Sequence, residues 1–194
     1  MMNIKFKVFD EHLNEMKEMT LEDFEREFTS IYGNYCMVVN NEGYPCYFPD
    51  ELIYSDIEIS ELIDSHLNSL VFVVENISKY DAFFITYVEN SFTWLSIKKE
   101  GNTLQVSEIS KYYTQDMNKY FKGGYVLTNK KFFNEVEVIW GPVSISVDEF
   151  IEEVISATQK LVKIIGGVNT QFLRSRVMNK MFDFVERMNI NGGI

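Results

Sequence analysis

Between Glu27 and Ser78 the chain contains no lysine and no arginine. Those 52 residues hold nine carboxylates: Glu27, Glu42, Asp50, Glu51, Asp56, Glu58, Glu61, Asp64 and Glu75. Other shortages narrow the reading. Only three prolines occur, and no stretch rich in Ser, Gly and Pro divides the chain. That argues against a flexible linker, so one domain over 1–194 is expected. The two cysteines, Cys36 and Cys46, and two distant histidines, His12 and His66, do not have zinc-site spacing. Without a secretion signal the cysteines read as small, reduced, apolar side chains. The longest apolar runs, such as Leu70–Val74, are far short of a membrane span. The opening MMNIKFKVFD has neither a long apolar stretch nor a small-residue cleavage site. A cytoplasmic protein without a membrane partner is the expectation.

What is present is ample core material. Hydrophobic residues make up 46% and aromatics 15%, with 16 Phe and 11 Tyr, which argues against disorder. The net charge of −11 disfavours direct nucleic-acid binding, which needs cations to replace counterions on phosphate. It equally disfavours an anionic lipid surface. It suits a basic protein partner. The charge is uneven, because residues 154–194 carry six basic and two acidic groups. Lys160, Lys163, Arg174, Arg176, Lys180 and Arg187 recur at helical spacing there and read as a solvated helix face.

Local patterns place the elements. Ile4, Phe6 and Val8 alternate with Lys5 and Lys7 as in a half-buried strand. Asp10–Met19 is polar without a clean period. Thr20 and Asp23 open a short helix over about 21–29, and Gly33 ends the connection after it. Tyr35–Val39 and Tyr44–Phe48 read as a hairpin turned by Asn40-Asn41-Glu42-Gly43, with Pro45 marking an edge. A helix with Ile63, His66, Leu67 and Leu70 inward follows, and Glu58, Glu61 and Asp64 fall on its outer face. Ala82–Val88, Phe92–Lys99 and Thr103–Ile109 form a meander. Lys111–Lys122 reads as loop or irregular helix, Gly123-Gly124 as a turn. Phe133–Trp140 and Val143–Val147 are two strands separated by a Gly141-Pro142 turn. Ser146 caps a helix that runs to Ile165, with Gly166-Gly167 as its left-handed C-cap. A last helix spans Thr170–Met188. The sum is α+β: an antiparallel sheet of about seven or eight strands. A middle helix and a C-terminal helical hairpin over 146–190 pack on one side of it.

No catalytic or cofactor motif emerges. Phosphate loops, HExxH, CxxC, GxSxG and EF-hand loops are all missing. His66 reads as a core histidine and His12 as a solvated one. Trp94 and Trp140 fall at core-facing strand positions. Asp50, Glu51 and Asp56 are near neighbours, yet no Gly-bearing twelve-residue loop supports calcium among them. No catalytic residue, metal or cofactor is assigned.

The run Trp140-Gly141-Pro142-Val143-Ser144-Ile145-Ser146-Val147-Asp148-Glu149-Phe150 resembles the strand–turn–strand–helix signature of a group of small bacterial proteins. These are the immunity proteins of polymorphic toxin and contact-dependent inhibition systems. Gly33-Asn34-Tyr35-Cys36-Met37-Val38-Val39 resembles an earlier signature of that group, with Cys36 where its pattern has an aromatic. The resemblance implies a non-enzymatic, cytosolic binder that occludes a toxin domain. It transfers no functional residues.

Charge and resemblance together suggest an immunity-type protein that meets a basic toxin or nuclease domain through an acidic face. The residues expected on that face are Asp50, Glu51, Tyr54, Asp56, Glu58, Glu61 and Asp64, with Tyr44 and Tyr47 as further aromatic anchors. A monomer or weak homodimer is expected. Two other readings stay open. One is a small enzyme or ligand-binding domain with a pocket site. The other is a regulatory domain that self-associates through a strand edge near Pro45.

Overall fold

Alternation at the N-terminus produces β1 (Met2–Val8), whose Ile4, Phe6 and Val8 are buried while Lys5 and Lys7 lie on the other face. The structure, a computed structural model, describes residues 1–45, 48–55, 60–87 and 90–191. β1 pairs antiparallel with β2 (Tyr32–Val39), which pairs with β3 (Glu42–Tyr44) and with the two-residue β4 (Glu61–Leu62). The β2–β3 turn needs only Asn40 and Asn41, because Val39 faces Glu42. Asn40 takes φ +54°, a left-handed value that Asn tolerates well.

A second sheet follows in the order β8–β5–β6–β7–β9, all antiparallel. Its strands are β5 (Ala82–Tyr87), β6 (Asn90–Glu100), β7 (Thr103–Ser110), β8 (Val126–Leu127) and β9 (Glu137–Ser146). The fold is thus α+β as the patterns indicate. The single expected sheet resolves into two among the described residues, of four and five strands.

The helices are α1 (Asp10–Lys17), α2 (Leu21–Glu27), α3 (Asp50–Ile53), α4 (Ile63–Asn76), α5 (Val147–Val168) and α6 (Asn179–Asn191). Thr20 caps α2 by accepting from Asp23 N at 3.2 Å, and Ser146 caps α5 by accepting from Glu149 N at 3.0 Å. α5 is the central helix. Its Phe150, Val154, Leu161 and Ile165 are buried in a cluster that also takes in Phe6, Tyr35, Leu67, Phe83, Ile97, Val106 and Met181. That cluster joins both sheets to α4 and α6. α5 also serves the outer edge of β1: Met2 N donates to Glu149 Oε1 at 2.5 Å and Ile4 N to Glu153 Oε1 at 2.6 Å. Two backbone donors of an edge strand are thereby satisfied.

Several expectations are corrected. Asp10–Lys17 is helical despite its lack of period: Met16 is buried, His12 and Leu13 are half-buried, and Asp10, Glu11, Asn14, Glu15 and Lys17 are exposed. His12 is half-buried, not solvated. Its ring meets Phe9, Phe28 and Tyr32 edge-on at 5.5 to 5.7 Å. Gly141-Pro142 is not a turn between two strands. β9 runs through it with a cis peptide, φ +92° at Gly141 and a break in register against β7. A second register break beside Ile139 gives this edge strand two irregularities, a device that hinders edge-to-edge pairing. Gly166-Gly167 does not cap α5, which continues to Val168. The C-terminal segment is also interrupted: a 3-10 turn over Thr170–Arg174 precedes α6. Phe184 is its fully buried ring, and Phe182 is partly buried.

Gly33 lies within β2 instead of ending the loop before it. A Cβ there would stand 2.1 Å from the Lys7 carbonyl oxygen and 2.5 Å from the Ile63 side chain. The β1 backbone cannot recede without losing its ladder. Gly33→Ala is therefore expected to lower unfolding free energy by about 3 kcal/mol, read from the urea midpoint. A loss under about 0.5 kcal/mol would show that the β1–β2 approach is looser than described.

Candidate functional site

The residues expected on one acidic face separate into three groups. Asp50, Glu51 and Tyr54 are exposed on and just after α3, which lies over the outer face of β1 and β2. Asn34 holds α3 there by donating from Nδ2 to the Ile53 carbonyl at 3.1 Å. Asp56 and Glu58 lie outside the described residues, as do Cys46 and Tyr47. Glu61 and Asp64 are buried, at 4% and 6% exposure, so neither faces a partner. Tyr44, the further aromatic anchor, is also buried, at 1%.

The α3 surface is not purely acidic. Lys5 Nζ forms an ion pair with Asp50 Oδ1. Lys7 Nζ pairs with Asp10 Oδ2 at 3.2 Å. Lys160 of α5 stands 5.5 Å above the Tyr54 ring and 4.6 Å above the Phe6 ring. Burial pulls the Lys160 ammonium below the usual lysine range, against the opposing effect of Glu153. The gap in cations seen along the chain is closed in space by β1 and α5.

The buried pair has a physical explanation. α4 begins at Ile63, so Glu61 belongs to β4, where it faces Gly33 of β2. Its carboxylate points inward. Tyr87 of β5 donates its hydroxyl to Glu61 Oε1 at 2.6 Å, and His66 Nε2 lies 3.1 Å from Glu61 Oε2. The His66 ring stacks on Tyr35 with centroids 4.3 Å apart and planes 5° from parallel. Tyr44 approaches His66 edge-on at 6.1 Å, and its buried hydroxyl has no hydrogen-bond partner among the described residues. Burial raises the Tyr44 and Tyr35 phenols well above the ordinary tyrosine range. Beside this group, Trp140 Nε1 donates to Glu108 Oε2 at 2.6 Å. Burial lifts the Glu108 carboxyl above its usual value, while that bond opposes the lift. His66 is thus a core histidine with a carboxylate partner.

Asp64 sits at the first turn of α4 and accepts from Ile31 N at 2.8 Å. Burial dominates its titration and pushes the carboxyl up to about 6, with the Ile31 amide pulling the other way. Its role is to satisfy an amide that enters β2. No distant partner signal marks this in the chain, since Ile31 lies 33 residues away.

Surface cavities of 280, 380, 480 and 410 Å³ are lined by none of Glu61, Asp64 and His66. Among the described residues no group of three or more His, Cys, Asp or Glu is placed to hold a metal ion. No helix among them is long and apolar enough to cross a membrane. The acidic surface that pattern reading missed lies on α1 and α2. Asp10, Glu11, Glu15, Glu18, Glu22, Glu25 and Glu27 are all exposed there. The sequence carries the signal as eight carboxylates in residues 10–27 against Lys17 and Arg26. Glu25 accepts from Arg176 N, and Arg26 pairs with Asp23 and Glu27, while Glu11, Glu15, Glu18 and Glu22 stand in water.

The chain matches no family model, no curated protein and no solved structure.

The Asp64 shift has a definite sign. A carboxyl raised to about 6 in the folded state favours folding in its protonated form, and that advantage is lost as pH rises from about 4 through 6. Asp64→Asn cannot ionise. Its unfolding free energy relative to wild type should therefore rise by about 2 kcal/mol between pH 4 and pH 7. Chemical denaturation across that range checks it; a constant difference would place the Asp64 carboxylate in water.

Proposed function

We propose that this protein is a non-enzymatic binder of a basic protein. In its most concrete form it is an immunity-type protein that neutralises a basic toxin or nuclease domain. The observation that carries the reading is the set of exposed carboxylates on α1 and α2, with Glu51 exposed on α3, in a chain of net charge −11. Such a surface raises the encounter rate with a cationic partner and disfavours anionic competitors. A nuclease domain fits, because its own site must attract phosphate. The residues of Trp140–Phe150 resemble those of immunity proteins, although β9 runs through Gly141-Pro142 without the turn of that signature. The pocket-enzyme reading gains little support from a His66–Glu61 pair that lies apart from the described cavities. A cytosolic site of action is part of the proposal.

The test begins with partners recovered from the native cell. Their association rates are then measured at ionic strengths from about 0.05 to 0.5 M. Steering by the acidic surface predicts a fall of about tenfold or more over that range. The combined substitution of Glu11, Glu15, Glu18 and Glu22 by Gln should flatten the dependence. A rate insensitive to both salt and substitution would remove the reading.

A further inference from the structure

The outer face of the second sheet is covered only in part. The 111–136 connection between β7 and β9 lays Met117 and Phe133 against Phe84, Trp94 and Ile109. Val136, the last residue of that connection, packs at the margin of this cluster. Strand residues two apart share a face, so the same face continues past the cover as Ser96 and Lys98 of β6 and Gln105 and Ser107 of β7. The sheet opens there as a cavity of about 410 Å³, within the size range of specific small-ligand sites.

Its floor carries an unusual pair. Ser96 faces Ser107 across the β6–β7 ladder, and both line the cavity. The two residues are 2% and 8% exposed, yet neither hydroxyl has a hydrogen-bond partner among the described residues. Buried hydroxyls elsewhere are satisfied: Ser69 donates to the Ser65 carbonyl at 2.9 Å, and Thr158 to the Val154 carbonyl at 2.7 Å. Buried polar groups are seldom left unpaired, so an unpaired cross-strand pair at the bottom of an opening points to an external partner. The strand beside it leaves the floor open. At Gly141 of β9 a Cβ would stand 2.6 Å from the Val106 carbonyl oxygen and 3.0 Å from Ser107 Oγ. Glycine there lets β9 pass close to the Ser107 hydroxyl without displacing it, and Pro142 forms the side wall.

The two ends of the cavity differ in chemistry. One is apolar, with Ile109 buried, Val136 half-buried and Val138 51% exposed. The other holds Lys98, Glu100 and Gln105. Both ends of the Gln105 amide are committed: Nε2 donates to Glu100 Oε2 at 3.1 Å, and Oε1 accepts from the Ser144 hydroxyl at 2.9 Å. That network engages Glu100 and leaves Lys98 over. The Lys98 side chain is exposed, and its ammonium forms no ion pair or hydrogen bond among the described residues. Two hydroxyl donors and one ammonium converge beside an apolar end. A cation would be repelled by Lys98, and a wholly apolar molecule would leave the hydroxyls unpaired. A phosphate would bring a second negative charge toward Glu100.

We propose that this cavity binds a small carboxylate with an apolar tail. The carboxylate accepts from the Ser96 and Ser107 hydroxyls and from Lys98, and the tail lies on Ile109, Val136 and Val138. Same-face neighbours along a strand stand about 7 Å apart, which suits a tail of about five carbons between the hydroxyl pair and Ile109. Occupancy of this site is independent of the function proposed above.

The test uses the full chain and three probes: hexanoate, its neutral counterpart hexanamide, and acetate. Backbone amide shifts are followed by NMR at about 0.15 M salt, where the long-range field of the acidic chain is screened. The expected result is saturable shifts confined to the strands around Ser96, Lys98, Ser107 and Val138. Hexanoate should bind at least about threefold more tightly than hexanamide, because its hydrogen bonds are charge-assisted. It should bind about tenfold more tightly than acetate, which lacks the tail. Lys98→Met keeps an apolar stem at an exposed position. It should weaken hexanoate at least about threefold and leave hexanamide unchanged. Val138→Ser, at a side chain half open to water, should weaken hexanoate and hexanamide alike and spare acetate. Equal affinity for hexanoate and hexanamide would overturn the proposal, as would unchanged hexanoate binding in Lys98→Met. The absence of localised shifts up to about 50 mM hexanoate would do the same.

Discussion

A carboxylate that cannot reach water organises this molecule. Glu61 belongs to the first sheet through its pairing with Gly33, to the second through the Tyr87 hydroxyl, and to α4 through His66. An isolated charge in that position would be costly, and one partner would not offset the desolvation. Two hydrogen-bonding partners and a Tyr35–His66 stack make it tenable. The requirement that all of them meet fixes how the two sheets and the middle helix sit together. Apolar packing along α5 supplies the larger share of the driving force but does not specify register so narrowly. The polar knot restricts the alternatives, because any slip would strand a charge.

Much of the fold was legible in local pattern. Alternation marked β1 and the β5–β7 meander, and helical spacing placed Ile63, Leu67 and Leu70 in the core. The Ser146 cap opened α5 where its hydroxyl demanded. What failed did so for physical reasons. Gly123-Gly124 does form a turn, but Gly166, expected in a left-handed cap, lies inside α5, where a Cβ would come within 3.1 Å of Leu173. There a small residue serves close approach and not left-handed backbone. A helical period extended one turn too early puts Glu61 on an outer face, whereas Asp64 lies within α4 and turns inward to the Ile31 amide. Their partners, Tyr87 and Ile31, are remote in sequence, and no local pattern contains that information.

The charge layout was legible only as a sum. A stretch without cations suggested a one-sign face, yet folding brings Lys5, Lys7 and Lys160 against that stretch and takes Glu61 and Asp64 into the interior. The surplus of negative charge remains and is concentrated on α1 and α2, whose apolar residues Leu13, Met16, Leu21 and Phe24 anchor them to the core. The proposed function depends on the field of that surplus and not on particular residues of 50–64. Interior carboxylates do structural work here, and solvated ones are available for recognition.

The claim that Glu61 is the polar junction of the two sheets can be measured with a double-mutant cycle on Glu61→Gln and Tyr87→Phe. Unfolding free energies of the wild type, both single variants and the double variant give the coupling directly. The account predicts that the two losses are strongly non-additive, with a coupling energy of at least about 1 kcal/mol, as befits a hydrogen bond to a charged group. Additive losses within about 0.3 kcal/mol would contradict it, since the two side chains would then act independently.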